Sequence, residues 1–390
     1  MAGDDGVNER EAPRFFAPGL ATTGVGSLPH LSVTDALADV LAFCPEYPYW
    51  PQLPRLSWRE DMYRQFSAGL PGLTPDGDSS ASGRIAWRHD DEARRGLGEV
   101  YEDVLAGVKT LGNWAVPRED AAGLYALDEA LTLSAGARGL AGLKGQITGP
   151  ISLGLAVTDE SGRALLYQED LMDGVARALA LRARWQEDFL AHLAGQAPRS
   201  GEATGLTLMS VDEPYLGTFG SAYFPYRPET VLNYLEIFAA TLRGIWGVHC
   251  CANTDWEFLM ASPVRFLSFD AYSYGERLVL YPEAVRRFVD GGNSLVWGIV
   301  PTAAEDLAAE DSPSLTRRLV GYFETLVARG VSERALARQS MVTPACGLAG
   351  LPVEGARRAM GLAAAVSEAA RLEFSGLDDR GRRPNREGWR

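Results

Sequence analysis

Apolar positions along this chain recur with two different periods, and the two alternate. Short apolar runs at residues 143–147, 206–211, 245–250, 266–269, 295–300 and 341–344 have the length of buried strands. Between them, residues 170–192, 228–242, 282–289, 314–329 and 353–373 place apolar side chains three and four apart, the spacing of an amphipathic helix. A further strand is read at 22–25, and an eighth between residues 85 and 130. Alternating strands and helices predict an α/β chain built on a parallel sheet. Eight strands favour a (β/α)8 TIM barrel over an open doubly wound sheet. The expected organisation is an N-terminal extension at 1–18, a single barrel domain at 19–375 with a loop-rich N-terminal excursion, and a flexible tail at 376–390. Polar stretches at 76–82 and 197–204 read as surface loops.

The unusual residues fall at the strand ends. Ser27, Thr148, Asp212, His249, Asp270, Pro301 and Cys346 stand at or just beyond the C-terminal ends of these runs. Barrel enzymes carry their active sites on that face. Side chains alternate along a strand, so His249 and Cys251 face one way and Cys250 the other. An imidazole beside a thiolate suits zinc. Cys346, closing another strand, is a candidate third ligand, and Asp270 a candidate fourth. Asp270 reads equally well as a helix N-cap. Cys250, facing the opposite side, and Cys44 read as core thiols, while His89 and His192 read as surface residues.

Composition narrows the function class. The chain has 390 residues and a formal net charge of −14, the opposite of what a phosphate-binding surface needs. Nucleic acid is therefore not an expected partner. No apolar run reaches the roughly 18 residues of a membrane span, and the first residues are acidic where a signal peptide is basic. A membrane partner is not expected, and the cytoplasm is the expected location. Four cysteines, two of them adjacent, make a poor disulfide framework in a chain this long. They remain available for metal.

Five short motifs in this order resemble the catalytic barrel of cobalamin-independent methionine synthase: Thr23-Gly24-Val25-Gly26-Ser27-Leu28-Pro29, Lys144-Gly145-Gln146-Ile147-Thr148-Gly149-Pro150, Asp212-Glu213-Pro214, His249-Cys250-Cys251 and Cys346-Gly347-Leu348. The wider superfamily includes uroporphyrinogen decarboxylase and the corrinoid-dependent methyltransferases. The resemblance spans about residues 20–370. It implies a zinc ion held by His249, Cys251 and Cys346, with a carboxylate from Asp270 or, failing that, Glu276. It implies that Asp212 binds the amino group of homocysteine and that Ser27 contacts the substrate. The activity it implies is methyl transfer to a small thiol, homocysteine giving methionine. The chain is too short for the second barrel of the full-length enzymes, and no tryptophan-bearing folate segment is found. His249-Cys250-Cys251-Ala252-Asn253-Thr254 resembles the His-x-Cys-Gly-x-Thr pattern of corrinoid enzymes. Methylcobalamin or another methyl-corrinoid, free or on a carrier protein, is therefore the expected donor.

The proline-rich and aromatic stretch at 47–55 reads as a rigid loop over the barrel mouth. Gln52, Arg55 and Glu60 are candidate substrate contacts there, and His30 is expected near the same site. Three rivals remain at this level: a corrinoid methyltransferase for another thiol such as coenzyme M, a metal-free tetrapyrrole decarboxylase, and a corrinoid-binding or metal-storing protein without turnover. The decarboxylase would need a basic cluster for propionates, and the strand-end motifs show none.

Overall fold

The computed structural model describes residues 16–75, 85–88, 90–105, 111–133, 139–196, 206–221 and 224–375. The loops expected at 76–82 and 197–204, the tail at 376–390, His89 and most of the 1–18 extension lie outside the described residues. The N-terminal excursion carries α1 (Val33–Phe43), α2 (Met62–Ser67), α3 (Asp91–Leu105) and α4 (Ala122–Leu133). Within it β1 (Leu73–Pro75) and β2 (Ile85–Trp87) pair antiparallel, apart from the main sheet.

The main sheet has six parallel strands in chain order. They are β3 (Gly142–Thr148), β4 (Leu206–Asp212), β5 (Ile245–Cys250), β6 (Phe266–Phe269), β7 (Ser294–Val300) and β8 (Ser340–Pro344). Helices fill each crossover, as parallel neighbours require. They are α5 (Pro150–Ala156) and α6 (Glu169–Gln196), then α7 (Pro228–Thr241), then α8 (Trp256–Ala261). After β6 come α9 (Ala271–Leu278) and α10 (Pro282–Asp290), and after β7 come α11 (Ala304–Ala309), α12 (Ser312–Val327) and α13 (Glu333–Arg338). α14 (Val353–Phe374) ends the described chain. All six runs and all five helices expected from periodicity are present, with ends moved by two residues or fewer except at the C-terminal end of α6.

Each strand is buried on both faces, and its two side-chain sets do different work. Leu143, Ile147, Met209, Val211, Trp246, Val248, Leu267, Phe269, Leu295, Trp297 and Val342 belong to the large core between sheet and helices. The opposite parity supplies a second, separate apolar cluster: Ala21, Tyr47, Leu208, Ile245, Phe266, Val296 and Met341, with Phe16. This is the concave face of a curled sheet, and the cluster plugs its lower end. Burying each such side chain contributes about 1.5–3 kcal/mol. Further along the same parity the residues become polar: Lys144 and Gln146, Ser210 and Asp212, His249, Ser268 and Thr343 are all buried. A dry floor thus lies beneath a polar interior.

The architecture is TIM-barrel-like, with six regular strands in the main sheet among the described residues, where eight were expected. The stretch at 22–25 is not a regular strand; it makes a parallel bridge from Thr22 to Val342. The 47–55 stretch, expected as a rigid loop over the barrel mouth, runs alongside it, with bridges Ser27 to Gln52 and Tyr49 to Lys144. Backbone bonds follow these bridges: Thr23 N–H to Val342 O at 3.1 Å, Gln52 N–H to Gly26 O at 3.1 Å, and Lys144 N–H to Pro48 O at 2.9 Å. Prolines at 48, 51 and 54 lack the N–H a longer ladder would need. Gly24 is required where the two segments meet, because a Cβ there would lie 2.3 Å from the Tyr49 ring. The strand expected between 85 and 130 is β2, which belongs to the small hairpin.

Candidate metal centre

Strand parity and strand ends bring three donors together. His249 shares its parity with Ile245 of the inner cluster, so its ring enters the concave interior at the end of β5. Cys251 follows it by two residues in the loop, and Cys346 comes in beyond the end of β8. The ligand atoms of His249, Cys251 and Cys346 all lie within 4.8 Å of one another. His249 Nδ1 sits 2.9 Å from Ser268 Oγ, which stands on the inner face of β6. Its Nε2 is buried and has no hydrogen-bond partner. An imidazole anchored through one nitrogen and bare at the other is arranged as a metal ligand.

The two thiols behave as a pair. Cys346 holds Cys251 below the ordinary thiol range by hydrogen bonding, while that bond and burial push Cys346 well above it. Cys250 faces the helices with its Sγ 3.6 Å from Ala252 O, and burial pushes it up to about 12. Cys44 is likewise buried and pushed up to about 12. Among the four cysteines, only Cys251 is held below the ordinary thiol range.

Acidic side chains surround the cluster without joining it. Asp212, in register with His249 on β4, is buried and accepts a 2.7 Å bond from Ser210 Oγ. Desolvation raises its pKa, against the lowering influence of His249 and Lys144. Glu213 turns away and clamps the first turn of α5, accepting from Ile151 N–H at 2.9 Å, Ser152 N–H at 2.8 Å and Ser152 Oγ at 2.6 Å. Burial still pushes Glu213 up to about 7. Gly149 makes room for it, since a Cβ there would lie 2.1 Å from Glu213 Oε1.

The fold is shared with a methionine synthase. The structure superposes on that of a B12-independent methionine synthase from Shewanella sp. W3-18-1 in complex with selenomethionine. The TM-score is 0.59 at 15% sequence identity, and the match covers 92% of this chain and 99% of that one. No family model and no curated protein matches the sequence.

Within this fold, several residues expected at the site make structural contacts. Asp270 is the N-cap of α9, its carboxylate accepting Ser273 N–H at 2.8 Å, and it stands outside the three-donor cluster. One of its two oxygens satisfies an orphan helix N–H. Glu276 is exposed on α9 and is no substitute. Glu60 is buried and accepts Leu53 N–H at 2.6 Å and Ala122 N–H at 2.9 Å. Gln52 donates to Gln65 Oε1 at 2.6 Å. Both are thus bound up in packing the excursion. Arg55 is exposed and donates to Gly350 O at 3.1 Å. His30 is buried with its Nε2 2.8 Å from Asp39 on α1. His192 is exposed on α6, as expected. Ser27 does reach the cluster's neighbourhood: its carbonyl accepts Leu348 N–H at 2.8 Å, and its Oγ would lie 2.2 Å from a Cβ at Gly347, next to Cys346.

Sequence reasoning passed over Lys144 and Ser268. Lys144 is buried, with Nζ donating to Val25 O at 2.8 Å, and burial lowers it to about 8. Parity was the available signal, since Lys144 lies two residues from Gln146 and Ser268 two from Phe266 on the inner face. The described helices include none long and apolar enough to cross a membrane.

Proposed function

We propose that this chain is a zinc-dependent methyltransferase of the methionine synthase type, acting on a small thiol that carries an amino group, homocysteine above all. The observation that carries this reading is the cluster of His249, Cys251 and Cys346, whose ligand atoms lie within 4.8 Å of one another, with a buried imidazole Nε2 that has no hydrogen-bond partner. One nitrogen and two sulfurs suit zinc. Three protein donors make the donor set of a catalytic site that leaves a position for a substrate. Bound zinc would supply the deprotonation of a ligating thiol at neutral pH, where a free thiol with pKa near 8.5 is mostly protonated.

The chain's own residues supply position and exclusion of water. Ser268 holds the His249 ring so that Nε2 faces the thiols. Asp212, buried one strand away, offers a carboxylate oxygen to a substrate ammonium and fixes the direction in which its sulfur points. Ser27, beside Gly347, borders the same space. In the transfer, the substrate sulfur forms a bond to the methyl carbon while the carbon's bond to its carrier breaks and the electron pair leaves with the carrier. The donor expected from sequence finds no support. The structural neighbour is a B12-independent enzyme, which conflicts with methylcobalamin or a corrinoid carrier protein, and the corrinoid is not retained.

The test measures zinc per chain and methyl transfer to homocysteine in wild type and Cys346→Ser. The expected result is about one zinc in wild type and joint loss of metal and activity in the variant. Full activity in Cys346→Ser would overturn the reading.

A further inference from the structure

Two side chains on the six strands of the main sheet end in a buried polar atom with no hydrogen-bond partner among the described residues: His249 at Nε2 and Thr343 at Oγ1. The proposed metal accounts for the first. Nothing above accounts for the second. Thr343 is 1% exposed on β8. Met341 belongs to the inner apolar cluster and Val342 to the core under the helices, so alternation turns Thr343 into the concave interior. It stands above the apolar floor and three residues before Cys346. Its register partner on β7 is Gly298, which brings no side chain. The other hydroxyls on the inner face are spent. Thr148 donates to Met62 O at 2.6 Å, Ser210 to Asp212 at 2.7 Å and Ser294 to Gln339 Oε1 at 2.8 Å, while Ser268 pairs with His249 Nδ1 at 2.9 Å. A buried hydroxyl without a partner costs free energy that a valine of the same shape would not.

The strand order shows what Thr343 faces. The bridges Thr22 to Val342, Ser27 to Gln52 and Tyr49 to Lys144 carry the wall from β8 back to β3. β4 and β8 therefore stand across the interior from each other, with three segments between them on either side. Asp212 is on β4. An acceptor whose ammonium is held there, and whose sulfur is held by His249, Cys251 and Cys346, turns its remaining substituent toward β8. A carboxylate buried in that place needs a donor. We propose that Thr343 is a substrate-binding residue whose hydroxyl donates to the acceptor's carboxylate, and that it selects an α-amino acid thiol over a simple aminothiol. This rests on the acceptor reading above and names the class within it.

The experiment is calorimetric titration of zinc-loaded protein with homocysteine and with 3-aminopropane-1-thiol, which is homocysteine without its carboxylate; no methyl donor is needed. Wild type should prefer homocysteine by about tenfold or more, the worth of a hydrogen bond to a charged group. Thr343→Val should keep its zinc, bind the aminothiol as wild type does and lose most of the preference, and Thr343→Ser should restore it. Homocysteine binding unaltered in Thr343→Val would give the hydroxyl to a buried water and overturn the proposal. Equal weakening of both thiols, the mark of a packing role, would do the same. Urea unfolding supplies the control: with no internal bond to lose, Thr343→Val should unfold at no lower a urea concentration than wild type, and a clear drop would reveal a structural role and overturn the proposal. A wild type that binds neither thiol sinks the acceptor reading and this proposal together. A wild type that binds both without preference sinks this proposal alone.

Discussion

Glu60 separates a binding role from a structural one most cleanly, because its place in the chain suggests the first and its contacts show the second. Its two carboxylate oxygens hold Leu53 N–H and Ala122 N–H, joining the end of the 47–53 segment to the start of α4. Hydrogen bonds to a charged group contribute about 1.5–3 kcal/mol each. Glu60→Ala would strip both and leave two donors in a site where the glutamate is 1% exposed, at a cost of roughly 3–6 kcal/mol. That is a large share of the roughly 5–15 kcal/mol by which domains are stable. Glu60→Gln is the better probe. It keeps one oxygen, turns an amide N–H2 toward the other donor, and should cost about 1.5–3 kcal/mol. Urea unfolding followed by tryptophan fluorescence reads the loss, and titration with homocysteine reads binding on the folded fraction. Unchanged unfolding with homocysteine binding weakened tenfold or more would refute the structural assignment and return Glu60 to the substrate site.

Glu213 gives a pH dependence with a defined sign. Its folded value of about 7 lies above the ordinary 4.5, so the stability it contributes is fully present below pH 4.5 and is lost as the pH rises through 7. The difference is worth about 3 kcal/mol. Comparing wild type with Glu213→Gln by unfolding at pH 5 and pH 8, the wild type should lose that much relative to the variant, and parallel profiles would contradict the assignment. Ser268→Ala should weaken zinc binding about 10- to 100-fold in a chelator competition while leaving the thiols in place. Unaltered affinity would mean that the Nδ1 contact does not orient the ring.

What could be read locally was read well. A strand buried against helices on one face and against the closed floor of the interior on the other reads as a mostly apolar run, which is why β4 to β8 stood out against their amphipathic neighbours. The parity of His249 and Cys251 against Cys250 is a property of any extended chain, and it survives in the fold. Other assignments depended on which groups found partners. Asp270 ends a strand at the right face, yet the free N–H of Ser273 took its carboxylate. Gln52 and Glu60 lie in a segment that looked like a lid and instead became part of the wall, where their polar atoms had to be satisfied internally. Lys144 looked like part of a short motif until the interior closed around it. The sequence by itself determined which stretches become strands and helices, and which side chains share a strand face, because those follow from backbone geometry and local burial. Only the tertiary structure decided which donors meet across the interior and which long-range partners Gln52 and Glu60 satisfy, because those meetings depend on how distant segments pack, which local geometry does not encode.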